Sequence, residues 1–527
     1  MLGRDTAGLA MTTQGHASLM SNHALLAGGG TQATRQTSVM DVIELVQLIL
    51  SFLASPRDLV HMACVAKRYT NIALRLIWET PDFSGDPLST MVHLFPEPTR
   101  TDLLARKDEL PRIEHGLFHR FDYYANLVRH LRYWQASNDA FIGLALTASR
   151  PGVWLFPRLL SIHVGSDRDS LQIAGTFFSP SLRTVTIDHW DSSDTSAITV
   201  TPGITTVLQH VFRLPNLRVL DLLDSVYRNY EGISEIVDAL LALISQLVEF
   251  YSSDFTFVTS VYDALAQSSR LKGMLFDFSQ ARDVTTCYTP NDAIRTLGTK
   301  FLGLDKIVVR SDVQTAVDVL SNTNHRFRSI DLSIEGSVTI DDLATLTNLV
   351  APSTRELKKF RCGSSQPTVR PNYRSMESAL RPLKEMACLR DVQIETSFPA
   401  TEMISDTDAK LLFPGWPHLR CFILTSDPGR SSTALENGLS STALSLLSLF
   451  IIQQSCRYLC ELSLSFVDLL NIPHPSEPHS TRSWQNVEIQ FTRSHAHDSG
   501  AVIDYVKHLW PNASVWFAEC CLSATSH

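Results

Sequence analysis

The sequence predicts an α/β protein in two parts: a small three-helix unit, followed by a much longer and irregular solenoid of strands and helices. Helical apolar periods between residues 39 and 80 indicate the first part. A strand-like apolar triplet that recurs from about residue 115 to residue 520 indicates the second. The chain has 527 residues, 44% of them apolar and 19% charged, which is enough apolar material for an extensive hydrophobic core.

Residues 1–38 are predicted to form a disordered tail. The segment is rich in Ser, Thr, Gly, Ala and Gln and carries almost no charge. Such a composition buries too little apolar surface to offset the entropy lost on ordering. A mitochondrial transit peptide is the alternative interpretation, in which Arg4 and Arg35 would supply the positive charge.

The first predicted helix, which begins near Val42, is apolar almost all the way round. Only Glu44, Gln47 and Ser51 form a polar edge on a helical wheel. A unit of about forty residues has too little interior to enclose both faces of such a helix. The spare apolar stripe is therefore expected to dock on the rest of the chain or on a partner.

Two further short helices are predicted after the first. Ser55 and Pro56 are typical of an N-cap and a first helical position, and Asp58 of a capping box, so a second helix should run to Val65. A third helix should begin near Lys67 and end close to Trp78.

The run from Glu44 to Trp78 resembles an F-box, a small three-helix module that docks on the Skp-family adaptor of cullin-RING ubiquitin ligases. The matching positions are Glu44, Leu45, Leu48, Ile49, Leu53, Asp58, Leu59, Val65, Lys67, Arg68, Tyr69 and Trp78. The chain departs from the family at Asp41 and Val42, where members usually have Leu-Pro. A three-helix cap on a larger domain would show the same apolar periods and remains the alternative.

This resemblance implies an adaptor-binding surface made of apolar contacts, some of whose residues must also face the core of the module. The implied adaptor-binding residues are Leu45, Leu48, Ile49, Leu53, Leu59, Val65 and Trp78.

Residues 81–114 are predicted to be a linker with helical segments, and a repeat follows. In each copy an apolar residue is followed at +3 and +5 by two more, except that Ser252 takes the third position of one copy, and the copies are about 30 residues apart on average. The copies are Val128-Leu131-Tyr133, Leu159-Ile162-Val164, Leu182-Val185-Ile187, Leu217-Leu220-Leu222, Leu247-Phe250-Ser252, Leu271-Met274-Phe276, Leu304-Ile307-Val309, Phe327-Ile330-Leu332, Leu357-Phe360-Cys362, Leu389-Val392-Ile394, Leu419-Phe422-Leu424, Leu459-Leu462-Leu464 and Trp484-Val487-Ile489. This spacing accommodates one strand, one turn and one helix per copy.

The copies resemble irregular leucine-rich repeats, which occur behind many F-boxes. The resemblance implies a leucine-rich-repeat-like solenoid over residues 115–520, with a strand face for an unknown protein target and a short tail at 521–527. A large α/β domain with a conventional sheet and crossover helices is the alternative.

Composition argues against several classes of partner. A net charge of -9 and a pI near 6.0 disfavour nucleic acid, because phosphate binding requires a basic surface. Apolar stretches such as 443–452 are shorter than the roughly 20 residues of a membrane span. The nine scattered cysteines fit neither a disulfide framework nor a zinc module, so we interpret them as buried reduced thiols. A cytoplasmic or nuclear location is expected.

The sequence offers no recognisable catalytic, cofactor or metal motif. It has no GxSxG elbow, phosphate-binding loop, dinucleotide-binding turn or HExxH helix. His495, His497 and Asp498 lie in a segment with the composition of a solvated loop. The resemblances therefore imply a non-catalytic substrate receptor that binds the adaptor and, through it, a cullin. A protein-binding scaffold outside any ligase is the alternative, and an enzyme whose site is assembled only by folding is a third possibility.

Overall fold

A computed structural model describes most of the chain between residues 43 and 518. The described residues are 43–53, 55–81, 87–105, 110–133, 139–165, 174–188, 202–223, 233–253, 255–279, 288–323, 327–351, 356–367, 375–397, 404–425, 444–465, 467–469, 472, 486–492, 494 and 498–518. The predicted tails at 1–38 and 521–527 lie outside them, as do Asp41 and Val42. The chain forms two compact units, Met1–Leu74 and Arg75–His527.

Three helices follow one another where the sequence predicted them. They are α1 (Ile43–Ser51), α2 (Pro56–Val65) and α3 (Lys67–Glu79). The Ser55 hydroxyl caps α2 by accepting a hydrogen bond from the backbone N–H of Arg57 at 3.2 Å, with Pro56 in the first turn. The boundary between the two compact units falls within α3.

The second unit begins with short helices that belong to its hydrophobic core. These are α4 (Pro87–Val92), α5 (Glu97–Leu104), a 3₁₀ turn (His115–Phe118) and α6 (His119–Ala125). Leu88, Met91 and Leu103 are fully buried in that core. The predicted linker at 81–114 thus contributes structure to the second unit.

Among the described residues, fourteen parallel strands then form one sheet, and their order in space is their order along the chain. The strands are β1 (His130–Tyr133), β2 (Ser161–Gly165), β3 (Thr184–Asp188), β4 (Val219–Leu223), β5 (Glu249–Ser252), β6 (Gly273–Asp277), β7 (Lys306–Ser311), β8 (Ser329–Ser337), β9 (Lys359–Pro367), β10 (Asp391–Ser397), β11 (Cys421–Thr425), β12 (Glu461–Ser465), β13 (Glu488–Thr492) and β14 (Ser514–Ala518). A conventional doubly wound sheet would reverse its strand order at a switch point, which this sheet does not do. The fold is a solenoid-like α/β fold.

Helices occupy most of the connections between the described strands. They are α7 (Asp139–Ser149), α8 (Pro202–Phe212), α9 (Ile233–Ile244), α10 (Thr259–Gln267), α11 (Pro290–Lys300), α12 (Val313–Asn322), α13 (Ile340–Val350), α14 (Met376–Lys384), α15 (Asp406–Leu412) with a 3₁₀ turn (Phe413–Gly415), α16 (Leu447–Ser455) and α17 (Ser499–Leu509). Side-chain caps fix several helix starts; at α13, Thr339 and Asp342 form a reciprocal capping box.

The predicted triplets mark the buried face of the sheet. Ile307, Ile330 and Phe360 are paired in register on β7, β8 and β9, and all three are buried. Alternate residues of a strand point to opposite faces, so these side chains join the core and their sequence neighbours do not. The first twelve triplets all take this register.

The last predicted triplet is wrong by two residues. Leu462 pairs with Ile489 and Leu464 with Phe491, so Ile489 and Phe491 are the buried pair of β13. A further copy follows on β14, where Val515 continues the row of Ile489. The sequence pattern missed it because Asn512, like Asn486 in the copy before, stands where the first twelve copies have an apolar first residue.

The two faces of β11 predict unequal costs of truncation. Leu424 is buried in the core, whereas its neighbour Ile423 is only half-buried on the opposite face. Leu424→Ala should lower the free energy of unfolding by about 2–5 kcal/mol, because it leaves a cavity. Ile423→Ala removes the same number of carbon atoms and should cost less than about 1 kcal/mol.

Urea unfolding followed by far-UV circular dichroism measures both variants. Equal losses of stability would contradict the assignment of the two faces.

Candidate functional site

The first candidate site is an exposed apolar stripe on α1. We call it the α1 patch, and it consists of Ile43, Leu45, Leu48, Ile49 and Phe52. Four of these residues have the i, i+3, i+4, i+7 spacing of one helix face. The other side of α1 is buried through Val46 and Leu50.

The exposure of the α1 patch is unusual for a monomeric surface. Ile43 is 65% exposed, Leu48 54% and Phe52 68%. Isolated apolar residues on a surface are normal, but a contiguous stripe of large ones marks an interaction site. The patch has no catalytic groups, so its chemistry is that of a docking surface.

The seven predicted adaptor-binding residues differ in their exposure. Leu45, Leu48 and Ile49 lie in the α1 patch, and Val65 is 69% exposed at the end of α2. Leu53 is half-buried.

The other two predicted residues are packed within the protein. Leu59 is buried and offers a partner little surface. Trp78 is half-buried against the core of the second unit, and its ring centroid lies 4.7 Å from that of Tyr124. Ile43 and Phe52 were missed by the family resemblance, although a helical wheel places Phe52 one further turn along the stripe.

The second candidate site is a pocket of about 370 Å³ on the face of the sheet opposite the core, across β4 to β9. Its shape follows from the alternation of large and small residues on neighbouring strands. Glu249, Gly273, Lys306, Ser329 and Lys359 form one row in register. The small residues of this row leave space between the long side chains.

Gly273 leaves room in that row for two side chains of β5. A Cβ atom there would lie 2.8 Å from the hydroxyl oxygen of Tyr251 and 3.1 Å from Cγ of Glu249. The Tyr251 hydroxyl donates a hydrogen bond to the Glu249 carboxylate. Burial and the adjacent Glu249 carboxylate raise the pKa of Tyr251, so the phenol stays neutral.

Four cations and two carboxylates line the pocket: Lys306, Arg310, Lys359, Arg361, Asp221 and Asp331. Ion pairs hold three of the cations in place. Lys306 Nζ lies 3.4 Å from Glu249 Oε2 and Arg310 Nη1 lies 3.3 Å from Oδ2 of the buried Asp277.

Arg361 is held between two carboxylates. Its Nη1 lies 4.0 Å from Oδ2 of Asp331, and its Nη2 lies 3.2 Å from Oε2 of Glu395. Desolvation raises the pKa of Asp331, and the opposing pull of Arg361, Lys359 and Lys306 only partly offsets it. Lys359 forms no ion pair with any residue that the structure describes.

Comparison with known proteins adds no family assignment. No protein-family model matches this chain, and a search of curated proteins found no significant match. Within the described ranges, no helix is long and apolar enough to cross a membrane, and no group of three or more His, Cys, Asp or Glu side chains is placed to hold a metal ion. His495 and His497 lie outside the described residues.

The cysteines correct one expectation. Cys362, Cys421 and Cys456 are buried as predicted, but Cys64, Cys388 and Cys460 are exposed. All six are free thiols; Cys287, Cys520 and Cys521 lie outside the described residues. Burial raises the pKa of Cys362, Cys421 and Cys456 to about 12 in each case.

This difference predicts selective thiol labelling. The thiolate is the reactive form, so a thiol with a pKa of about 12 is almost fully protonated and inert at pH 8, and burial also blocks access. Iodoacetamide at that pH should modify Cys64, Cys388 and Cys460 in the folded protein.

Peptide mapping by mass spectrometry reads out the labelling, and the urea-unfolded chain serves as the control in which the buried thiols also react. Modification of Cys362 at the rate of Cys64 in folded protein would contradict the burial.

Proposed function

We propose that this protein is the substrate receptor of a cullin-RING ligase of the SCF type. The α1 patch docks on the Skp-family adaptor, and the strand face of the second unit binds the target. The protein performs no covalent step itself. Its contribution is proximity, because it holds a target lysine near the conjugating enzyme that other subunits supply. A cytoplasmic or nuclear location is part of this proposal.

The observation that carries the proposal is the exposed α1 patch on a helix that already buries its opposite side. Leu45, Leu48 and Ile49 belong both to the F-box-like pattern and to the exposed stripe. Full burial of a leucine or isoleucine side chain is worth about 1.5–3 kcal/mol, so a few such contacts dominate an apolar interface.

The solenoid-like second unit supports the other half of the proposal. Repeats that stack in one direction present a long strand face, whose side chains vary without disturbing the core. The pocket beside Lys306 and Lys359 lies on that face.

A protein-binding scaffold outside any ligase is the second candidate function. The observation that favours it is the acidic Asp41 where the resemblance has an apolar opening. In that case the strand face binds a partner, and the helical unit has no adaptor to bind.

Substitution of the α1 patch tests the proposal. Purified adaptor immobilised on beads should retain the wild-type protein. Leu48→Asp and Ile49→Asp should each reduce retention at least tenfold, because a carboxylate replaces an apolar contact in a desolvated interface. Both side chains are exposed, so the fold should tolerate the change.

Leu302→Asp is the matched control, because Leu302 is 76% exposed and lies in the second unit. It should bind the adaptor like the wild type. Circular dichroism and thermal melting establish that all three variants are folded. If wild-type protein is not retained, the scaffold function replaces the receptor function.

A further inference from the structure

We propose that two copies of this chain associate through β14, which pairs antiparallel with β14 of the second copy around a twofold axis at Trp516. The contact extends the sheet of one copy into the sheet of the other. The inference goes beyond the proposed function and does not depend on it, because neither an adaptor nor a target takes part in this contact.

One edge of β14 carries backbone groups that no described residue pairs. Within the described ranges β13 is the only neighbour of β14. The backbone N–H of Ser514 donates to the carbonyl oxygen of Val487 at 2.9 Å, so the groups of Ser514 and Trp516 point toward β13. Those of Val515 and Phe517 therefore point outward. Such a row of outward N–H and C=O groups is a template for another strand.

The hydrophobic core is also incomplete at this end of the sheet. On β1 to β13 both core rows are buried, from Leu131 and Tyr133 on β1 to Ile489 and Phe491 on β13. Their continuations on β14, Val515 and Phe517, are only half-buried. At the opposite end the helices α4 to α6 belong to the same core. Repeat proteins need a polar cap on the terminal copy, and β14 does not provide one.

The residues of β14 lack the usual protection of an exposed edge. Natural edge strands carry charged residues, proline or a bulge, which prevent association. The sequence of β14 is Ser-Val-Trp-Phe-Ala, with no charge and no proline. Trp516 is 58% exposed on the face of the sheet opposite the core. The strand therefore offers a partner both backbone groups and apolar side chains.

The edge of β14 is complementary to itself. With a twofold axis at Trp516, Val515 lies opposite Phe517 of the second copy, and Phe517 lies opposite its Val515. In an antiparallel ladder, two residues that face each other in this way exchange both N–H···O=C bonds, so every outward group of these residues is paired. Trp516 then forms a non-hydrogen-bonded pair with its own counterpart, where side chains are closest.

The same arrangement completes the core. A twofold axis perpendicular to the sheet keeps the core faces of both copies on the same side. Val515 and Phe517 of each copy thus cover those of the other, and the two cores become continuous. Aromatic and β-branched residues are favourable as cross-strand pairs.

The sequence favours a second copy over the residues that follow β14 as the occupant of this edge. Residues 519–527 could pair there only after a tight turn, and they contain no Gly, Asn, Asp or Pro. The second copy needs no turn and supplies both apolar residues at the matching positions. A strand of five residues buries less than the roughly 1,200 Å² of a standard stable interface, so we expect a weak dimer that depends on concentration.

Sedimentation equilibrium of the full-length protein tests this inference. The apparent mass should rise from the 58.8 kDa of one chain toward twice that value, with a dissociation constant on the order of 10 µM. Protein that remains monomeric up to about 100 µM overturns the proposal.

Charged residues at the twofold axis test the register. Trp516→Lys and Trp516→Glu should each weaken self-association at least about tenfold, because like charges then lie directly opposite each other. An equimolar mixture of the two variants should form a heterodimer at least about tenfold more tightly than either variant alone. Trp154→Lys is the matched control, since Trp154 is 43% exposed elsewhere in the second unit, and it should dimerise like the wild type.

Circular dichroism establishes that these variants are folded. Wild-type self-association by Trp516→Lys overturns the role of β14, and a mixture that stays monomeric overturns the twofold axis at Trp516.

Two further variants test the backbone contact and the alternative occupant. Val515→Pro removes an outward N–H but none that β13 uses, and should weaken the dimer at least about tenfold. A chain that ends at Ala518 should dimerise like the full-length protein. If only the shortened chain associates, the residues after β14 cover this edge and the proposal is overturned. Retention of Trp516→Lys by the adaptor reports on the ligase function separately.

Discussion

In-register burial of alternate strand residues is the constraint on which the second unit depends. Each parallel strand contributes residues such as Ile307, Ile330 and Phe360 to one continuous core beneath the helices. No single copy encloses its own apolar residues, so each relies on its neighbours. The strand face is therefore stabilised by the core on the other side of the sheet.

The same constraint creates the pocket. Because Ile307 is fixed in the core, Lys306 and Val308 lie on the opposite face of β7. A shift of the strand register by one residue would turn Ile307 outward and Lys306 and Val308 into the core. Apolar core residues set the register, which leaves the outward residues free to differ from strand to strand. Gly273 shows that freedom, because its missing side chain leaves room for the Tyr251 hydroxyl between Glu249 and Lys306.

Sequence alone predicted the parts of the fold that repeat. The spacing of the apolar triplets identified β1 to β12 because burial demands the same residue type at the same place in each copy. It failed at β13 and β14, where Asn486 and Asn512 replace the apolar first residue. The helical wheel of α1 predicted a spare apolar face. The apolar spacing of α2 did not show that Leu59 is buried. The pocket could not be predicted, since it requires knowledge of which strands are neighbours.

The two candidate sites differ in the forces that they offer a partner. The α1 patch can contribute only apolar burial, which is non-directional and is not screened by salt, so it suits a partner that is always the same. The pocket on the strand face is lined by charged side chains such as Lys306 and Arg361, and charged hydrogen bonds depend on geometry and on ionic strength. A directional and screened interaction discriminates between ligands better than an apolar one. The physical character of each surface thus favours constant docking at the first unit and selective recognition at the second.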